Sequence, residues 1–223
     1  MTKARATRPT RDRLLDAAVA VLARDGLHAL SHRVVEREAG ATHGSATYYF
    51  GTRHAMLVET LHHVARRDEE LVQRALSEQH GRPANLAALA AGDNGLEQVV
   101  QDVLALFNGR RPETLARYEL LLYAARQPEL HAEVARWRGF FAALIEPMLD
   151  RLGVDQPASA ARWLLATFDG NLLHQLASPD PDLAAQTPRY LQALLLAVTG
   201  RSATGQPATG QSATGREVRP GEP

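Results

Sequence analysis

The chain has 223 residues, 45% of them hydrophobic, with no cysteine and with 25 basic side chains balanced by 25 acidic ones. The lack of cysteine excludes disulfides, thiolate metal ligands and a cysteine nucleophile. No run approaches the roughly 18 apolar residues of a membrane span, and the basic N-terminus lacks the apolar stretch of a secretory signal, so a soluble, cytoplasmic protein is expected. The neutral total hides an asymmetry. Residues 1–67 carry 11 Lys or Arg against 6 Asp or Glu, and the remainder carries 14 against 19. A basic front on an acidic body fits two modules, of which only the first faces a polyanion.

Taken in order, residues 1–10 form a basic, Pro-containing arm. Ala, Leu, Arg and Glu then dominate as far as Gly200, without alternating β-branched runs, which makes the chain all-α. The first helix is expected over about Arg11–Arg24, with Leu14, Ala18 and Leu22 on one face, Leu15 and Val19 beside them, and Gly26 as a left-handed cap. Ser31 is the natural N-cap of a short second helix ending at Glu38. Ala39-Gly40-Ala41 is a tight turn. Thr42 is expected to cap a third short helix holding Ala46, Tyr49 and Phe50. Thr52 is expected to cap a long fourth helix from Arg53 to about Glu78, with Met56, Leu57, Leu61, Val64 and Leu71 on its apolar side.

The stretch 81–94 is ambiguous. Helices follow over about Leu96–Phe107, Glu113–Arg126, Pro128–Leu152, Pro157–Ala177 and Pro188–Val198. Pro147 should kink or end the third of these, and Thr187 should cap the last. Residues 201–223 repeat SATGQ-like pentads that cannot bury a core, and are expected to be disordered.

Three short helices with a glycine turn between the second and third form a helix-turn-helix pattern. Its third helix would enter the major groove of double-stranded DNA, offering Thr42, His43, Ser45, Thr47 and Tyr48 to phosphates and base edges. Further on, Tyr118, Tyr123, Trp137, Phe140, Phe141, Trp163 and Phe168 gather most of the aromatics, interleaved with Arg117, Glu119, Arg126 and His174, as in an apolar cavity with a few polar anchors. Of these, Tyr118, Tyr123, Arg126, Trp137, Phe140, Phe141 and Phe168 are the expected lining. His62 and His63 point in different directions on one helix, and no H-E-x-x-H is present, so no metal or other cofactor is expected. G-x-S-x-G elbows and phosphate-cradling glycine loops are also missing. The pattern leaves open a constitutive regulator or activator without a ligand pocket, and a helical enzyme or protein-binding module.

The segment LLDAAVAVLARDGLHALSHRVVEREAGATHGSATYYFGTRHAML closely resembles the N-terminal domain of the TetR (tetracycline-repressor-like) family of bacterial transcription regulators. The likeness rests on the Ala-rich first helix, the D-G after it, the E-A-G ending of the second, the Y-Y-F ending of the third, and the Thr-basic pair that follows. The resemblance implies a helix-turn-helix domain over 11–52 and a helical ligand-binding and dimerisation domain over 53–200. It implies that Ser31 and Arg33 approach the phosphate backbone, that Thr42 contacts phosphate, and that His43, Ser45 and Tyr48 face the groove. Gly44 would allow close approach, and Arg53, where the family usually has Lys, would hold a phosphate. Thr47 stands where the family commonly has an aromatic residue. It further implies a ligand-responsive repressor with a small-molecule effector and no enzymatic activity. Dimerisation would bury the apolar surfaces of the last two helices, through Leu164, Leu165, Leu172 and Leu176 and through Leu191, Leu194 and Leu195.

Overall fold

The computed structural model describes residues 10–78, 105–107, 109–151, 153–182, 186–187 and 189–190. Among these the protein is all helical. The elements are α1 (Thr10–Asp25), a 3-10 turn (Leu27–Ala29), α2 (His32–Ala39), α3 (Ser45–Phe50) and α4 (Arg53–Glu78). Then come α5 (Arg111–Ala124), a 3-10 turn (Pro128–Leu130), α6 (His131–Arg151) and α7 (Pro157–Ala177). The arm 1–9, the ambiguous stretch 81–94, most of the helix expected from Leu96, the tail, and Leu191, Leu194 and Leu195 lie outside the described residues.

The first helix buries the stripe expected of it. Leu14, Leu15, Ala18, Val19 and Leu22 are all in the core, and Ala17 and Val21 join them. Ser31 caps α2, its hydroxyl accepting from the Val34 N–H at 3.4 Å. Gly40 closes that helix in the left-handed region, at φ 58° and ψ 34°, where a Cβ would be strained. Arg13 reaches over from α1 and donates to the carbonyls of Ala39 (2.8 Å) and Gly40 (3.2 Å), pinning the turn. Thr52 Oγ1 accepts from the Ala55 N–H at 3.0 Å and caps α4.

Several local expectations are corrected. Gly26 has a positive φ of 75°, but its ψ of 179° lies outside the left-handed helical region. Thr42 does not cap α3: the helix begins at Ser45, after Gly44 at φ 87°, and no side chain of the N-cap residue bonds to it. On α4 the buried position near the far end is Val72, with Leu71 only partly covered. The segment from Pro128 opens with a 3-10 turn, and α6 continues past Pro147 to Arg151 instead of ending there. Gln186 and Thr187 are already helical. The Thr187 hydroxyl is buried and accepts from Asn171 Nδ2 at 2.9 Å, so it faces α7.

One hydrophobic cluster joins the first helices to the later ones. Leu14, Leu22, Val35, Phe50, Met56 and Leu61 share it with Ala116, Leu120, Leu130 and Trp137. At its edge Glu119 Oε2 accepts from the Leu27 N–H at 3.2 Å, tying α5 to the turn after α1. A second tie, between α4 and α5, is the buried pair Asp68–Arg117, with nitrogen–oxygen distances of 2.7 and 2.8 Å. The Arg117 guanidinium lies over the Phe107 ring, 4.4 Å from its centroid. Burial pushes the Asp68 carboxyl above the ordinary carboxylate range, and Arg117 pulls against that shift.

A third polar tie holds α1 to α4. His63 is buried and its Nε2 lies 2.8 Å from Asp16 Oδ1, the oxygen that Arg67 Nη1 also approaches at 2.9 Å. Burial lowers the His63 pKa below its ordinary 6.5; the Asp16 hydrogen bond opposes this and Arg67 reinforces it. The unfolded chain therefore takes up this proton more readily than the folded one, and the contribution of His63 to stability is complete above about pH 6.5 and shrinks as pH falls below it. Urea midpoints should drop between about pH 7.5 and pH 5.5, and His63→Asn should flatten that drop. An unaltered pH dependence in the variant would remove His63 from the account.

Candidate nucleic-acid interface

A six-residue helix cannot hold itself in water, so the placement of α3 depends on what it is fastened to. Its inner face is apolar, with Ala46 and Phe50 buried in the shared core. Its start is fastened by Glu36, which projects from α2. Glu36 Oε1 accepts from the Ala46 N–H at 3.0 Å, and the Gly44 N–H is also directed at the carboxylate. Glu36 is only 4% exposed. Burial alone would raise its pKa. The two backbone donors, together with His43, whose Nδ1 lies 3.3 Å from Oε2, outweigh burial and leave the carboxyl below its ordinary value. Sequence reasoning missed this residue, because the bond spans ten positions and lies outside any local capping pattern.

With the inner side fixed, the outer side is polar and open. Arg33, Thr42, His43, Thr47 and Tyr48 are exposed, and Gly44 and Ser45 partly so. Tyr48 is 83% exposed and meets Tyr49 edge to face at 5.1 Å. Such an array offers hydroxyls, an imidazole, an aromatic face and one guanidinium across α2, the turn after it and α3. Ser31 sits at the edge of this surface, its hydroxyl engaged in the α2 cap. Arg53 is also exposed, but its Nε donates to the Leu30 carbonyl at 2.7 Å and its Nη2 to the Leu27 carbonyl. Two of its nitrogens thus brace the loop between α1 and α2, leaving Nη1 for any phosphate.

The expected pocket residues are brought together only in part. Tyr118, Phe141 and Phe168 pack on a cluster with Val72, Phe107 and Leu172, and Phe107 meets Phe168 edge to face at 5.6 Å. The Tyr118 hydroxyl donates to the Asp169 carbonyl at 3.0 Å, and burial raises its pKa. Phe140 stacks edge to face on Phe141 at 5.2 Å. Tyr123 is elsewhere, its hydroxyl 2.6 Å from His54 Nδ1 at the start of α4. Arg126, in the turn after α5, is exposed and donates back to the Leu122 carbonyl of that helix. Trp137 does border a cleft, of about 290 Å³, between α4 and α6, together with Leu61, His62, Ala65, Arg66 and Glu133. Among the described residues its buried indole N–H has no hydrogen-bond partner. His62 is half-buried there, with Nε2 3.2 Å from Glu133 Oε2.

The surface of α7 also differs in detail. Leu172 is 1% exposed within a single chain and belongs to its core, so it cannot contribute to a dimer face. Leu164, Leu165 and Leu176 are partly buried. The apolar residues left open are Trp163, 73% exposed, and Leu173, 50% exposed, with Ala166, Gly170 and Ala177 also exposed on that helix.

Residues 14–60 match the model of bacterial regulatory proteins of the tetR family, and residues 91–200 match the tetracyclin repressor-like C-terminal domain. The chain belongs to the TetR family. TetR-family proteins are transcription regulators and not enzymes, and the all-α fold with an N-terminal helix-turn-helix bundle is theirs. The chain is 35% identical over 65 residues to the HTH-type transcriptional regulator BetI of Vibrio campbellii, covering 29% of this chain and 33% of BetI. The match thus spans about a third of that relative's length.

Among solved TetR-like structures, the multidrug binding protein EbrR complexed with ethidium superposes with a TM-score of 0.61 at 29% identity, over 84% of this chain and 98% of EbrR. A TetR-family member from Streptomyces coelicolor gives 0.64 at 28% identity, over 83% and 97%. Among the described residues no helix is long and apolar enough to cross a membrane, and no group of three or more His, Cys, Asp or Glu could hold a metal ion.

Proposed function

We propose that this TetR-family chain is a ligand-responsive homodimeric repressor that binds operator DNA through α3 and is released by a small-molecule effector. The observation that carries this reading is the face of α3, where Thr47 and Tyr48 stand open on a helix whose other side is locked into the core. Arg33 and the free nitrogen of Arg53 would neutralise phosphates beside it, helped by Lys3, Arg5 and Arg8 of the arm. The exposed Trp163 and Leu173 on α7 support pairing with a second copy, with the expected partner helix around Leu191–Leu195 lying outside the described residues. The cleft beside Trp137 supports an effector site, and the ethidium complex of EbrR supports a TetR fold able to take up small aromatic molecules.

The switch follows from linkage. An effector that prefers a conformation in which the two heads are wrongly spaced weakens operator binding, and operator must weaken effector binding by the same factor. Helix α4 would be the lever, since it runs from the cap at Thr52 to the Asp68–Arg117 tie.

The test is fluorescence anisotropy with labelled duplex from the upstream intergenic region and a scrambled control, over a range of salt. The expected result is preferential binding by an even number of protomers. Log affinity should fall linearly with log salt, with a slope of about −0.9 per phosphate neutralised. Equal, salt-insensitive binding to both duplexes by folded dimer would reject the reading.

A further inference from the structure

We propose that Glu36 is a positioning residue for DNA recognition, its buried carboxylate setting where α3 begins and how its reading face is presented. The inference rests on the DNA-binding reading above and adds a residue that would touch no nucleotide.

Helix α3 lacks a capping side chain of its own. Its N-cap is a glycine with no side-chain oxygen, and Thr42 lies too early to serve as a cap. The first amides of a helix need acceptors, and the Ala46 amide points inward, beneath a residue that is itself in the core. Water cannot serve there, so a protein acceptor has to. Glu36 supplies it from the neighbouring helix, with the reach to span from α2 to the start of α3.

The geometry makes this acceptor directional. Oε1 meets the Ala46 N–H, the Gly44 N–H adds a second donor, and His43 lies over Oε2. These donors come from His43, Gly44 and Ala46, on both sides of the first residue of α3, so the carboxylate fixes the Gly44–Ala46 backbone. Gly44 sits at φ 87°, and a Cβ there would meet nothing within 4 Å, so no side chain packs against that side of the turn. The side chains that would reach base edges, Ser45, Thr47 and Tyr48, hang directly from the segment Glu36 holds. A small rotation at its start would move all of them together, and base contacts lose their discrimination when misaligned. Glu36 itself is too deeply buried to reach a phosphate.

The test separates positioning from mere support of the fold. Duplexes enriched from a randomised pool by wild-type protein are compared with a shuffled control, using wild type, Glu36→Gln, Glu36→Asp and Glu36→Ala. Gln keeps the reach and an acceptor; Asp keeps the charge but is one methylene short. The expected result is that Ala and Asp lose about tenfold or more in the ratio of selected to shuffled affinity. Binding to the shuffled duplex should stay within about twofold, since phosphate contacts do not depend on base alignment. Gln should retain most of the ratio, and the Ala46 amide should exchange faster in Ala and Asp than in Gln. If Ala and Asp discriminate as well as wild type, the proposal is overturned. An equal loss on both duplexes, tracking a fall in thermal midpoint, would also overturn it and leave Glu36 a structural residue. Wild type that selects no duplex would reject the DNA-binding reading itself, and this role with it.

Discussion

Replacing Asp68 by alanine should destabilise the protein by about 3–5 kcal/mol. The carboxylate is buried and meets Arg117 through both of its oxygens. Without it a guanidinium remains buried over Phe107 and near Trp137, having lost the carboxylate to which it is hydrogen-bonded. The pair itself contributes far less than its loss costs, because each ion gave up its water to form it. Replacing both residues, as Asp68→Leu with Arg117→Met, should therefore recover most of the stability lost in the single variant. Urea denaturation of wild type and the two variants measures this directly. A cost of less than about 1 kcal/mol for Asp68→Ala would show that water reaches the pair, as in exposed ion pairs.

The second large effect is expected at Leu120. This side chain is fully buried in the cluster that α5 shares with α1, α2, α3 and α4. Leu120→Ala should cost about 2–5 kcal/mol through lost transfer energy and the cavity left behind, the spread reflecting how far the site can collapse. The cavity would lie where the reading domain meets the helices that follow it, so the same variant should also weaken any effect of an effector on DNA affinity. A destabilisation within the range, with the response to effector unchanged, would locate the transmission elsewhere along α4.

The parts of the fold that were legible in the sequence are those fixed by neighbours in the chain. The stripe on α1, the Ser31 and Thr52 caps and the Gly40 turn all follow from chemistry within four residues. What was not legible depended on groups brought together by folding. The start of α3 is set by Glu36 from another helix, which displaces the cap expected at Thr42. Arg53 carries the right charge for a phosphate, yet two carbonyls of the preceding loop already hold two of its nitrogens. Helix α7 is apolar on several sides, so its composition could not say that Leu172 turns inward while Trp163 and Leu173 stay open. Aromatic residues close in sequence around Tyr118–Phe141 were gathered into one expected lining. In the fold Tyr123 faces α4 and Tyr118 faces α7, since successive positions on a helix point in different directions.

The cluster linking Leu14 and Leu22 to Ala116, Leu120 and Trp137 bears on how the molecule comes apart. A chain cut after α4 would strip the apolar cover from one side of α1 and leave the Leu27 amide without the Glu119 carboxylate. The reading head is thus no detachable bead on a string. Heat or denaturant should melt it together with the helices beneath it, and a protease should find no folded N-terminal fragment to release.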